Sequence, residues 1–194
     1  TMIPGASTII FTGNPGSIVG ATAKFFYNLQ ISSGANISHT AGTMHIYHDF
    51  KNDGTFTQNN TLITYFDYPN ATQTLSGMPV STKFGNIVIG LTIPVTTSTL
   101  NAGSHVFEVS GSGFTLNEGS TFTGNSSIVT FSSNCTISGN GTAPAANFYN
   151  ATISAAVDFS TISTIYGTLQ INSGGSVSNN APTYATNSLL KYNT

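Results

Sequence analysis

The densest run of side chains able to do acid–base or metal chemistry is His45-Ile46-Tyr47-His48-Asp49. Imidazole and carboxylate are donor types that hold zinc, and two histidines at i and i+3 share a helix face from which both can reach one ion. On a strand the same spacing sends them to opposite faces. The surrounding pattern is that of strands, so these histidines are read as solvent-facing or turn-capping. His39 and His105 lie too far away in sequence to complete a motif. The carboxylates are Asp49, Asp53, Asp67, Glu108, Glu118 and Asp158. Glycoside hydrolysis needs two carboxylates flanking the scissile bond. Polysaccharide lyases use acid clusters for calcium with a basic residue for proton abstraction. The one close pair, Asp49 and Asp53, sits in Asp-Phe-Lys-Asn-Asp-Gly, a turn composition. No Gly-x-Ser-x-Gly elbow, P-loop or dinucleotide fingerprint occurs. Cys135 is the single cysteine, with no cationic neighbour in sequence to activate its thiol and no intrachain partner. The residues predict no catalytic, cofactor-binding or metal-binding site, and a chain that is not an enzyme.

Composition points the same way. Only 5% of the 194 residues are charged, against roughly a quarter in ordinary globular domains. The basic residues are Lys24, Lys51, Lys83 and Lys191, too few to form the stripe that neutralises phosphates, which excludes nucleic acid as a partner. With 39% hydrophobic and 11% aromatic residues, the chain is predicted to fold rather than remain disordered. Ser, Thr, Asn and Gly supply the polar surface, as suits a long β surface outside cells. No apolar run approaches the roughly 20 residues that cross a bilayer. No basic and apolar leader opens the chain, and Thr1-Met2-Ile3-Pro4 reads as the middle of a strand-and-turn pattern. The expectation is a fragment of a longer secreted polypeptide. The sequons at Asn36, Asn70, Asn134, Asn140 and Asn150 permit glycosylation in a eukaryotic host, but their number is that expected by chance.

The elements that must position all of these residues are repetitive. One strand pattern recurs at Ser7–Phe11, Thr61–Tyr65, Ser127–Phe131 and Ser188–Tyr192, each with an aliphatic residue two before an aromatic. That alternation sends both to one face of a strand. A small turn element follows at Ser17–Gly20, Thr74–Gly77 and Thr136–Gly139. Next come Phe26-Tyr27-Asn28, Phe84-Gly85-Asn86 and Phe148-Tyr149-Asn150, each opening an aliphatic run. A fourth element precedes the next unit: Gly54–Thr57, Gly119–Thr123 and, more weakly, Gly175–Val177. The spacing of about 60 residues is close to three solenoid turns of about 20. It divides the chain into units of approximately 7–60, 61–126 and 127–194 within one repetitive segment. Prolines 15, 69, 144 and 182 fall in expected turns.

The predicted fold is all-β, a parallel right-handed β-helix. Tandem β-sandwiches are the alternative, disfavoured by the short period, the single Cys and the absence of Trp. Ile9, Phe11, Ile63, Tyr65, Val129 and Phe131 are predicted to point inward, and Phe26, Phe84 and Phe148 to stack in the core. Asn28, Asn86 and Asn150 are predicted to bond freed backbone groups at corners.

The order Thr-Leu-Ile-Thr-Tyr, Thr-Leu-Ser-Gly, Phe-Gly-Asn-Ile-Val-Ile resembles the strand repeats of large secreted and cell-surface proteins of Bacteroidota. So does the stretch from Gly174 through Ala181-Pro182-Thr183-Tyr184 to Asn193. The resemblance implies export by the type IX secretion system, an extracellular stalk or adhesin, and no catalytic residues. The expected partners are flanking repeats of the same polypeptide, surface polysaccharide or other cell-surface proteins. Uncapped terminal strands lead to the further expectation that the coil continues into neighbouring repeats or is held by a partner. Two other functions fit the residues. One is a carbohydrate-binding or polysaccharide-processing β-helix. The other is an ice-binding solenoid, suggested by Thr55-Phe56-Thr57 and Thr121-Phe122-Thr123.

Overall fold

A computed structural model describes residues 5–92 and 95–193; Thr1-Met2-Ile3-Pro4 lies outside them. The described residues form a parallel β-helix without helices. Three long sheets carry nine, nine and eight strands. The first sheet runs from Thr8–Phe11 to Thr183–Tyr184, the second from Gly16–Ile18 to Leu189–Asn193, and the third from Lys24–Phe26 to Ser176–Val177. Every pairing within these sheets is parallel; the one antiparallel pair among the described residues is the small hairpin of Leu91–Thr92 with Val95–Thr96. Parallel stacking of this kind excludes the sandwich alternative.

Strict alternation drives the coil. Asn28–Ile31 buries Leu29 and Ile31, Asn86–Ile89 buries Ile87 and Ile89, and Asn150–Ile153 buries Ala151 and Ile153. The intervening residues, Gln30, Val88 and Thr152, face outward and are half-buried. Inward phenylalanines from successive turns meet at ring centroid distances of 5.1 to 6.3 Å, which links Phe50, Phe56, Phe66, Phe84, Phe107, Phe122, Phe114, Phe131, Phe148 and Phe159 into one column. Tilted and edge-to-face contacts of this kind suit the ring quadrupoles.

The repeating unit of the coil is one turn, and turns differ in length. The turn that pairs Ala146 with Ser163 is much shorter than the one that pairs Ala71 with Ser98. The four copies of the aliphatic–aromatic strand consequently fall on different faces: Thr8–Phe11 on the first sheet, Ile63–Phe66 on the third, and Ile128–Phe131 and Leu189–Asn193 on the second. The long repeat marks a recurring sequence, not a recurring position. The expected turn elements are strands as well: Ile18, Leu75 and Ile137 point inward from Gly16–Ile18, Ala71–Ser76 and Cys135–Gly139. Their closing glycines come at the strand ends.

Val129 and Phe131 are fully buried, as predicted. Ile9 and Phe11 stand in register with Leu29 and Ile31. Ile9 is nevertheless 44% exposed, because its strand is the outermost of its sheet and is covered on one side only. Ile63 and Tyr65 face outward, contrary to the prediction; Thr64 and Phe66 take the interior. Phe66 packs on Phe84, and the Thr64 hydroxyl donates to Gln58 Oε1 at 3.0 Å, so the inner register is satisfied in both its apolar and polar members.

Candidate functional site

Corners set the site. In Phe26-Tyr27-Asn28, Phe84-Gly85-Asn86 and Phe148-Tyr149-Asn150 the phenylalanine closes one strand facing inward and the asparagine opens the next. The middle residue sits at the bend. The asparagine Oδ1 accepts a backbone N–H from the following turn: Asp49 at 3.1 Å, Gly113 at 2.9 Å and Thr168 at 2.9 Å. The predicted corner role is borne out at all three positions. Sequon asparagines are used similarly: Asn70 accepts from Thr97, Asn134 from the Ala156 N–H, and Asn140 donates to Asn117.

A bend at Tyr47 and His48 interrupts the His45–Asp49 run, so the two histidines do not share one strand. His45 projects from the outer side of Met44–Ile46, and His48 from the corner that follows. Each has its own carboxylate. His45 Nδ1–H donates to Asp67 Oδ2 at 2.6 Å, and His48 Nδ1 lies 3.1 Å from Asp49 Oδ2. Asp67 is only 3% exposed, and its Oδ1 has no partner among the described residues. Phe25, His45 and Tyr65 form a stacked ladder on three successive turns, with centroid distances of 4.7 and 4.5 Å. At the adjoining corner Tyr27 stacks on His48 at 5.2 Å, and Tyr68 packs against both Tyr27 and Tyr47. Burial, and secondarily the Asp67 charge, raises the Tyr47 and Tyr65 phenols above their ordinary value and keeps both protonated. An aspartate that orients a histidine is half of a general-base device. Here both faces of the imidazole are covered by rings, and no hydroxyl or thiol bonds to it among the described residues. No group of three or more His, Cys, Asp or Glu converges on a metal-sized space among them either.

The remaining titratable groups hold the coil together. Asp49-Phe50-Lys51-Asn52 is a strand rather than the expected turn, because Phe50 and Asn52 both fit the interior. The Asn52 amide is satisfied by Ser81 O and Thr82 Oγ1, and its Oδ1 by the Gly54 N–H. Asp53 accepts the Met78 N–H and pairs with Lys51, which holds its carboxyl below the usual range. Asp158 is lowered by the Ser160 N–H and then by the Asn180 amide. Glu108 pairs with Lys83 at 3.0 Å, and Glu118 accepts the Thr142 N–H. Cys135 is buried, and burial pushes its thiol up to about 12. Such a thiol carries no appreciable thiolate at neutral pH.

His39 and His105 face the interior. The His39 Nε2–H donates to Ala41 O at 2.9 Å, and its Nδ1 accepts from the Gln58 amide at 3.0 Å. Protonating Nδ1 would break the second bond. His105 Nε2 meets Thr82 Oγ1 at 3.0 Å. Burial lowers both imidazoles below their ordinary value of 6.5. The unfolded chain then binds more protons than the folded one below that value, so stability rises with pH there. We expect full stability above about pH 6.5 and a falling thermal midpoint from there to about pH 5. Asp53 and Asp158 are lowered from 3.8 and act only at more acid pH. A midpoint that stays flat between about pH 7.5 and 5 would contradict this account.

The aromatic corner cluster and the pairing of Asp67 with His45 were missed by sequence reasoning. The signal of the cluster is a tyrosine directly after an apolar residue that ends a strand: Phe26-Tyr27, Ile46-Tyr47, Phe148-Tyr149 and Ile165-Tyr166. The two Thr-x-Thr pairs lie on different faces, Thr55 and Thr57 on the second sheet and Thr121 and Thr123 on the first. A ladder of Thr72, Thr99 and Thr121 crosses three turns of the first sheet. Comparison of the chain with protein-family models, curated proteins and solved structures finds no match.

Proposed function

We propose that this chain is a non-enzymatic structural and adhesive segment of a secreted or cell-surface bacterial protein. One observation carries the reading: all six acidic side chains are engaged by the coil itself. Asp53, Asp67, Glu108, Glu118 and Asp158 each bridge successive turns, and Asp49 pairs with His48 inside its own corner. A catalytic carboxylate has to face substrate with a tuned pKa, whereas these are committed to backbone N–H groups and neighbouring side chains. The outer faces present hydroxyls and amides with few charges, a surface suited to multiple weak contacts along a rigid rod. The Bacteroidota-like repeats support an extracellular location.

Beads coated with the protein, perfused over surfaces bearing bacterial or plant polysaccharide, should be retained above beads coated with an unrelated protein. No reducing ends or unsaturated uronides should be released. Release of either product, lost in Asp67→Asn, would favour polysaccharide processing through the His45–Asp67 pair and overturn the reading. Retention no better than the control on every surface would overturn its adhesive part.

A further inference from the structure

We propose that the groove at the corner between the first and second sheets, flanked by Tyr149 and Tyr166, binds a neutral oligosaccharide. The two tyrosines occupy the same corner on successive turns. The Tyr166 N–H donates to Phe148 O at 2.9 Å and the Gly167 N–H to Tyr149 O at 2.8 Å, so the bends stack directly. One turn earlier that corner is held by Gly124, whose N–H donates to Asn147 O at 2.7 Å. A Cβ on Gly124 would lie 2.6 Å from the Tyr149 backbone nitrogen, so this position must stay bare. The result is an open groove of about 370 Å³ lined by Thr123, Gly124, Asn125, Asn147, Tyr149 and Tyr166. That volume lies at the lower end of the roughly 300–1,000 Å³ typical of ligand sites.

Its chemistry selects the ligand. Tyr149 and Tyr166 are 42% and 51% exposed, and neither ring packs on another aromatic among the described residues. The corner tyrosines Tyr27, Tyr47 and Tyr68, by contrast, are packed on each other and on His48. Two phenol rings with available faces sit beside an Asn147 amide that makes no hydrogen bond among the described residues. Asn125 is anchored through Nδ2 to Asn101 Oδ1 at 2.7 Å. A pyranose ring has an apolar C–H face that covers an aromatic surface, and hydroxyls that both donate to and accept from amides. An apolar ligand would strand those amides. None of the lining residues carries a charge, which leaves uronate, sulfate and phosphate groups without a counter-ion. A neutral glycan is therefore the occupant that satisfies every feature.

This names a ligand class for the adhesive reading and rests on that reading for its biological setting. The test uses soluble sugars on the full chain. Cellohexaose, laminarihexaose and mannohexaose are titrated by ligand-observed NMR, with hexagalacturonate as the anionic arm and a proline-rich decapeptide as the peptide arm. At least one neutral hexasaccharide should bind with a Kd of about 1 mM or tighter. Tyr149→Ala and Tyr166→Ala should each weaken it about tenfold or more, while Tyr27→Ala leaves it unchanged. Unaltered thermal midpoints in the two variants would show that the fold is retained. Failure of all three neutral sugars overturns the proposal, as does preference for hexagalacturonate or the peptide. So does binding indifferent to both tyrosine variants. Bead retention that persists after such a failure leaves adhesion through another face standing. Sugar binding without bead retention counts against the adhesive reading alone.

Discussion

Phe84→Ala is expected to lower unfolding free energy by about 3–5 kcal/mol, the range for truncating a fully buried phenylalanine. Phe84 is the node of the aromatic column, meeting Phe50, Phe56, Phe66 and Phe107 at 5.4 to 6.1 Å. These contacts come from all three sheets, so truncation opens a cavity that no single strand can close by sliding. In a solenoid each turn is stabilised by its neighbours. The damage should therefore show as lost amide protection in the turns flanking residue 84 before the rest of the coil. Chemical denaturation followed by circular dichroism gives the global value, and hydrogen exchange the local one. Phe25→Ala is the control: its ring stacks outside the coil on His45 and should contribute about 1 kcal/mol or less. Equal losses in the two variants would mean that the interior column is not what holds the turns together.

The part of this architecture that the sequence displays is its alternation. Leu29 and Ile31 stand between the polar residues Asn28, Gln30 and Ser32, and only one register buries them. The stretch Ile63-Thr64-Tyr65-Phe66 offers two registers with an aliphatic or β-branched residue and an aromatic in each. The choice is made by Phe84 and Gln58, one following this strand in the chain and the other preceding it, which touch it only once the coil is wound. A one-residue slip there would exchange the inner and outer sets. Corners are legible for a different reason. The asparagine of Phe-x-Asn bonds to whichever backbone lies one turn on, so its role survives a turn of any length.

The candidate sites are hidden by turn length. Asp67 reaches His45, and Tyr166 stacks its bend on that of Tyr149, across turns of different length. With the turn from Ala71 to Ser98 longer again, no fixed period brings both pairs into register. The lengths are set by turn insertions such as the hairpin of Leu91–Thr92 and Val95–Thr96, which leaves the strand pairing on either side intact. Each site is a consequence of local winding, and His45 and Tyr149 look like ordinary strand and corner residues until the neighbouring turn is laid against them.

Gly77→Ala should be the most damaging single-methyl change, costing about 3 kcal/mol or more. Two effects add. Gly77 has φ +101°, outside what an L side chain adopts readily, and forcing a residue there costs roughly 1–2 kcal/mol. Its Cβ would also lie 2.1 Å from Asn52 O and 2.6 Å from Asn52 C, both rigid backbone atoms of the previous turn. Asn52 cannot retreat without disturbing the buried bonds it makes to Ser81, Thr82 and Gly54, and losing such bonds inside the coil exposes polar atoms to an apolar interior. Gly103→Ala separates the two effects. Its φ is also positive, at +53°, but the nearest atom to an added Cβ is Leu75 O at 3.8 Å, an ordinary contact. That variant should lose only the conformational part, roughly 1–2 kcal/mol. Thermal and denaturant midpoints of the two variants, measured side by side, decide the matter. Comparable losses would show that backbone strain alone matters, and that the turns are not packed closely enough at Asn52 for a methyl group to force them apart.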